Sequence, residues 1–155
     1  MNRLTILLTR TFFDMLNLAT FGNFPPLVAV AAVIERNDQI LMLDRKDGLG
    51  LCLPGGIIKW NETAEEALRR EVLEETGYEV SIINLISVYS GLYRDPRFRC
   101  VEIVYSAGIV DGHGNGRLSP EGRIAWVLKA NLPDTLAFDH ELVMADYLRS
   151  KDKAH

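Results

Sequence analysis

Three carboxylates in the run Glu71-Val72-Leu73-Glu74-Glu75 stand three and four residues apart. On a helix, residues at those separations share a face, so Glu71, Glu74 and Glu75 would present their oxygens to one small region of space. Like charges held so closely repel, and helix stability alone gives no reason to collect them. A divalent cation would. Carboxylate oxygens are the ligands that Mg²⁺ and Mn²⁺ take. A cation held by them can bridge phosphate oxygens, neutralise developing charge and lower the pKa of an attacking water. Arg70 precedes Glu71 and stands one helical turn before Glu74, so its guanidinium can fix carboxylate orientation by hydrogen bonds. Acidic helix faces are most often merely solvated, so the surrounding spacing has to decide.

The elements that would position these groups are legible. Thr63 with Glu66 three residues on makes a capping box, Ala64, Ala67, Leu68 and Val72 form an apolar stripe, and Gly77 stands where a glycine ends a helix. A helix over 64–76 follows. Ahead of it, 46–56 (KDGLGLCLPGG) reads as a glycine-rich loop bringing bare backbone close to the acids. Residues 27–46 read as a hairpin about the polar turn Glu35-Arg36-Asn37-Asp38. Segments 79–91, 99–110 and 122–130 have strand character, 111–116 (DGHGNG) reads as a turn, and 138–150 regains a helical period. Strands and helices do not alternate regularly, so an α+β fold with a mixed sheet is expected.

The bulk numbers bound the partners. A chain of 155 residues, 48% hydrophobic and 25% charged, suits one domain with a real core. The net charge of -4 gives no basic footprint, so a nucleic acid polymer is excluded as partner. Cys52 and Cys100 lie far apart without metal-ligand spacing, which reads as free thiols in a reducing compartment, the cytoplasm. Residues 1–24 are read as an accessory helix closed by Pro25 and Pro26, ahead of a catalytic domain at 25–150. Leu4, Leu7, Leu8, Phe12, Met15 and Leu16 recur at helical spacing, so that helix should pack on the domain or on a second copy in a homodimer. Arg10 and Asp14 interrupt its apolar run, which falls short of the ~20 residues a membrane span needs. Stable membrane insertion is not expected.

Gly56, Glu62 and the unbroken Arg70-Glu71-Val72-Leu73-Glu74-Glu75-Thr76-Gly77 fit the pattern G-x5-E-x7-R-E-U-x-E-E-x-G-U, where U is a bulky aliphatic. The chain therefore resembles the Nudix (MutT-like) hydrolases from about Leu27 to Leu148. Leu53-Pro54-Gly55-Gly56 is the usual lead-in. Tyr78 stands where an aliphatic is usual, Leu51 where tryptophan is common, and Lys59 and Asn61 where Glu and Gly are frequent. The resemblance implies the Nudix fold, a mixed β-sheet sandwiched between α-helices, and Mg²⁺- or Mn²⁺-dependent hydrolysis of a nucleoside diphosphate linked to another moiety. It implies Glu71, Glu74 and Glu75 as metal ligands with the carbonyl of Gly56, and Glu62 as the partner of Arg70. Two candidates stand for the general base: Glu71, and Glu121, five residues before Trp126 as in the family's loop glutamate.

Tyr93-Arg94-Asp95-Pro96-Arg97 resembles a stretch found in members acting on ADP-ribose and related nucleotide sugars, and Arg94 and Arg97 could clamp a diphosphate bidentately. A polar turn about Pro96 is the competing reading. Trp60, Tyr93 or Phe138 could stack a base or simply pack, and His140 reads as structural. ADP-ribose-like substrates are favoured. Nucleoside triphosphate sanitising is the first alternative. A non-catalytic nucleotide sensor is the second, disfavoured because such regulators usually carry a DNA-binding domain and often a broken motif.

Overall fold

The structure is a computed structural model describing residues 3–92, 94–110 and 122–152. Its elements in chain order are α1 (Arg3–Ala19), β1 (Leu27–Arg36), β2 (Gln39–Arg45), β3 (Leu51–Cys52), β4 (Gly55–Ile57), α2 (Ala64–Thr76), β5 (Val80–Tyr89), β6 (Cys100–Ile109), β7 (Gly122–Leu128) and α3 (His140–Asp152). Short 3-10 turns cover Lys129–Asn131 and Ala137–Asp139.

β1 organises the molecule. Its apolar run Val30–Ile34 is buried throughout, as a strand covered on both faces requires. Side chains alternate across the sheet. Val30, Ala32 and Ile34 meet Ala67, Leu68 and Val72 of α2 on one side. Ala31 and Val33 meet Val143, Met144 and Tyr147 of α3 on the other. The result is a mixed sheet between helices, as expected. The strands run β3-β2-β1-β6-β5, with β4 also on β1 and β7 also on β2. β1 pairs parallel to β6 and antiparallel to β4.

The expected hairpin exists only at its tip. Asn37 and Asp38 both have positive φ, 51° and 64°, which suits a tight two-residue turn between right-twisted strands. Past Glu35↔Ile40 and Arg36↔Gln39 the two strands part. β2 then pairs with β7 along its whole length.

The glycine-rich stretch is also more ordered than a loop. Leu51–Cys52 pairs with β2 and Gly55–Ile57 with β1. A Cβ on Gly55 would lie 2.1 Å from the Val30 carbonyl oxygen, so only glycine lets β4 approach β1 so closely.

α2 has the boundaries its caps dictate. Thr63 Oγ1 accepts from the Glu66 amide at 3.2 Å and Glu66 accepts from the Thr63 amide at 2.8 Å. Gly77, at φ 73°, returns its amide to the Leu73 carbonyl. α1 is a helix over Arg3–Ala19. Leu4, Leu7, Leu8, Phe12 and Met15 of the apolar stripe are exposed. The helix instead touches the body through Phe13, whose ring stands 5.2 Å from Phe98 and 6.0 Å from Phe24. Among the described residues no helix is long and apolar enough to cross a membrane.

Candidate active site

β4 and α2 face each other, and adjacent glycines fit the strand to both neighbours. Gly55 donates its amide to Glu75 Oε2 at 2.8 Å. A Cβ on Gly56 would stand 2.4 Å from the carboxyl carbon of Glu71. Gly55 thus admits the backbone of β1, and Gly56 admits a carboxylate of α2. The two acids differ in setting: Glu75 is buried, while Glu71 keeps partial access to solvent.

Arg70 organises the cluster. Its Nε and Nη2 donate to both oxygens of Glu62, at 2.9 and 2.5 Å. Its Nη1 donates to Glu71 at 2.6 Å and reaches Glu74 at 3.4 Å, and Nη2 also reaches the Ile57 carbonyl at 3.3 Å. The Arg70 hydrogen bonds are the main reason the Glu62 carboxyl is held down to about 2, and the Lys59 amide adds to them. Glu62 in turn raises the Arg70 guanidinium further above its already high range.

The repulsion foreseen among the acids is therefore relieved first by an arginine and a backbone amide. Glu74 leans outward with its side chain 56% exposed, and among the described residues no three acidic, thiol or imidazole side chains are gathered about one point as a formed cation site. The donor set still fits a hard divalent ion. It is made of carboxylate oxygens, and Gly56 leaves beside Glu71 the space a Cβ would fill.

A cavity of about 290 Å³ is lined by Gly56 and Glu71 of this cluster together with Arg94, Arg97, Phe138 and His140. Both arginines of the expected clamp line it, and both already have acidic partners. Arg94 is buried, donates to Glu102 at 2.7 Å and stands 5.0 Å from the Tyr89 ring centre. Arg97 holds Asp95 with two nitrogens and packs 4.9 Å from Phe98 and 5.4 Å from Phe138. The Arg45 guanidinium also lies 5.1 Å from the Phe138 ring centre, and Phe138 has φ 63°, an uncommon conformation for a bulky residue. Trp60 is fully exposed and lines nothing here. Tyr93 and Glu121 lie outside the described residues.

Glu102 escaped sequence reasoning, and its partner is His140, which the sequence reads as structural. Glu102 lies within the apolar strand β6, and His140 opens α3. They meet at 3.1 Å, both buried. Burial pushes the Glu102 carboxyl up, but His140 and Arg94 together outweigh it and hold it below its ordinary value. A lone acid inside the apolar run Val101-Glu102-Ile103-Val104 was the available signal, since a charge in a strand buried on both faces requires a partner.

An arginine-braced acidic helix, set against a glycine strand at the edge of a sandwiched mixed sheet, is the arrangement of a Nudix hydrolase. The NUDIX domain profile matches residues 25–147; the chain belongs to this family and is a pyrophosphohydrolase. An ADP-ribose pyrophosphatase of Methanocaldococcus jannaschii is 37% identical over 130 residues, covering 82% of this chain and 76% of that protein. A Bacillus subtilis protein provisionally named an 8-oxo-dGTP diphosphatase is 34% identical over 105 residues, 68% of each. The solved structure of a NUDIX hydrolase from Nitrosomonas europaea superposes with a TM-score of 0.66 at 27% identity, covering 82% of this chain and 91% of that one.

Proposed function

We propose that this enzyme cuts the diphosphate linkage of a nucleoside diphosphate derivative, ADP-ribose or a nucleotide sugar by preference, into a nucleotide and a phosphorylated partner. The observation that carries the reading is that Gly56 and Glu71 line the same cavity as Arg94 and Arg97. The likeness to the Methanocaldococcus protein supports the substrate class.

Glu71, Glu74 and Glu75, with the carbonyl of Gly56, would hold Mg²⁺ or Mn²⁺. That ion would neutralise the diphosphate and acidify the attacking water. Arg70, anchored on Glu62, keeps Glu71 and Glu74 oriented. Arg97 is the arginine better able to change partners, its side chain being 22% exposed against 4% for the side chain of Arg94; a diphosphate can replace Asp95 on its guanidinium. Phe138 offers a ring face in the same cavity. The base that takes the proton of water is Glu71 or Glu121. Residues 25–150 carry the reaction. Residues 1–24 are an accessory segment whose exposed apolar face suits pairing with a second copy.

The Bacillus relative favours a second reading, removal of pyrophosphate from a damaged nucleoside triphosphate. One panel separates the two: ADP-ribose, dinucleotides, nucleotide sugars and nucleoside triphosphates, each assayed with Mg²⁺ and with Mn²⁺. ADP-ribose or a nucleotide sugar should show the highest kcat/KM, and Glu74→Gln and Glu75→Gln should each depress kcat strongly while remaining folded. Preference for a triphosphate would displace the first reading, and wild-type rates in both variants would remove the ligand assignment.

A further inference from the structure

The turn that delivers Gly56 has an unusual set of tethers. Pro54 has no amide hydrogen, and the donors on either side of it both go to side chains: Gly55 to Glu75 and Leu53 to Nδ1 of His140 at 2.8 Å. Because Nδ1 accepts, the ring proton sits on Nε2, which donates to Glu102 Oε1 at 3.1 Å. The second oxygen of Glu102 accepts from Arg94 Nη2 at 2.7 Å. His140, Glu102 and Arg94 are 1%, 8% and 6% exposed. The relay therefore runs without solvent from the 94–99 segment through β6 and α3 to the glycine turn.

A buried ion pair is a weak way to stabilise a fold. Its geometric value is greater here. Glu75, the other tether, is a proposed cation ligand, so its hold on the Gly55 amide is shared with whatever it binds. His140 makes the side-chain tether that no cation competes for.

We propose that His140, braced by Glu102, is a positioning residue that sets where the Leu53–Gly56 turn stands relative to Glu71 and Glu75, and that Arg94 ties this brace to the substrate-facing 94–99 segment. The inference rests on the proposed cation and diphosphate chemistry.

Two substitutions divide the imidazole between them. His140→Asn keeps an acceptor at the position of Nδ1 and loses the donor to Glu102; His140→Gln keeps the donor and loses the acceptor for Leu53. The readouts are Mn²⁺ affinity of the enzyme without substrate, hydrogen exchange of the Leu53 amide, and kcat and KM separately, with melting temperature as the check on folding. Removing an outer support of a metal site costs ~10–100-fold, so H140Q should lose that much in Mn²⁺ affinity and kcat, with a smaller change in KM and a fast-exchanging Leu53 amide. H140N should bind Mn²⁺ ~10-fold more tightly than H140Q and protect the amide better. Equal Mn²⁺ affinity and equal Leu53 exchange in the two folded variants would overturn the proposal.

If a position-140 variant does not fold, Glu102→Gln probes the same relay: it should weaken Mn²⁺ binding ~10-fold, and unaltered affinity there would equally refute the brace. If wild-type enzyme neither binds Mn²⁺ nor cuts any diphosphate, the proposed function fails by itself, and Leu53 exchange still decides whether His140 positions the turn.

Discussion

Arg70 grips Glu62 with two nitrogens, at 2.9 and 2.5 Å, and its third donates to Glu71 at 2.6 Å. Glu62 lies ahead of α2 and Glu71 within it, so one planar group joins the approach to the helix with the face that meets Gly56. A planar fork is suited to this; a compact ammonium is not. Arg70→Lys should therefore fold and still lose ~10–100-fold in kcat, the usual cost of disturbing an outer support of a metal site. Steady-state kinetics beside circular dichroism would check it; kcat within twofold of wild type would show the fork to be dispensable.

Glu62 also makes a prediction about pH. Its carboxyl is depressed from 4.5 to about 2, chiefly by Arg70. A depressed acid contributes stability that is fully present above its unfolded value and is lost as pH falls through its folded value. The stability difference between wild type and Glu62→Gln should then be constant above pH 4.5 and shrink between 4.5 and about 2. Urea unfolding of both proteins across that window measures it. A difference that instead grows with acidification would mean that Glu62 is not the ionised partner.

The two glycines of β4 should fail in different ways. Gly55→Ala drives a methyl into the Val30 carbonyl at 2.1 Å, rigid backbone within a paired strand, and overpacking of that kind costs ~1–3 kcal/mol. Gly56→Ala meets the end of the Glu71 side chain at 2.4 Å, which can swing aside. The first should lower Tm; the second should lower kcat and Mn²⁺ affinity with less effect on Tm. Thermal melts and Mn²⁺ titration of the two variants separate these outcomes, and a reversed pattern would contradict the contacts described.

Neither thiol should react readily in the folded enzyme. Burial pushes Cys52 up to about 12 and Cys100 up to about 12, and the thiolate is the reactive form. Iodoacetamide at pH 8 should label both slowly until urea is added, with the half-buried Cys100 ahead of Cys52. Rapid native labelling of Cys52 would show the core around β3 to be open.

Much of the site was legible because it is local. The capping box, apolar stripe and terminal glycine of α2 lie within one stretch of chain, and backbone hydrogen bonding fixes such features over a few residues. The same locality makes the Arg70 brace on Glu71 and Glu74 readable from spacing alone. Less legible was how the acids are neutralised. Helical spacing places carboxylates on one face but not their rotamers, and the structure turns Glu75 inward to an amide, Glu74 outward and Glu71 toward Arg70 and Gly56.

The sequence by itself determined the three helices and the longer strands among the described residues, the acidic helix with its arginine and the glycine approach to it, since propensity, caps and period act between near neighbours. Only the tertiary structure decided that β1 parts from its hairpin partner and takes β4 on that edge with β6 on the other, that α1 turns its leucines away from the body, and that Glu102, His140 and Arg94 meet behind the glycine turn. Each of these depends on contacts between residues far apart in the chain. A lone acid in an apolar strand announces that it has a partner, but which side chain answers depends on how the sheet folds between its two helices.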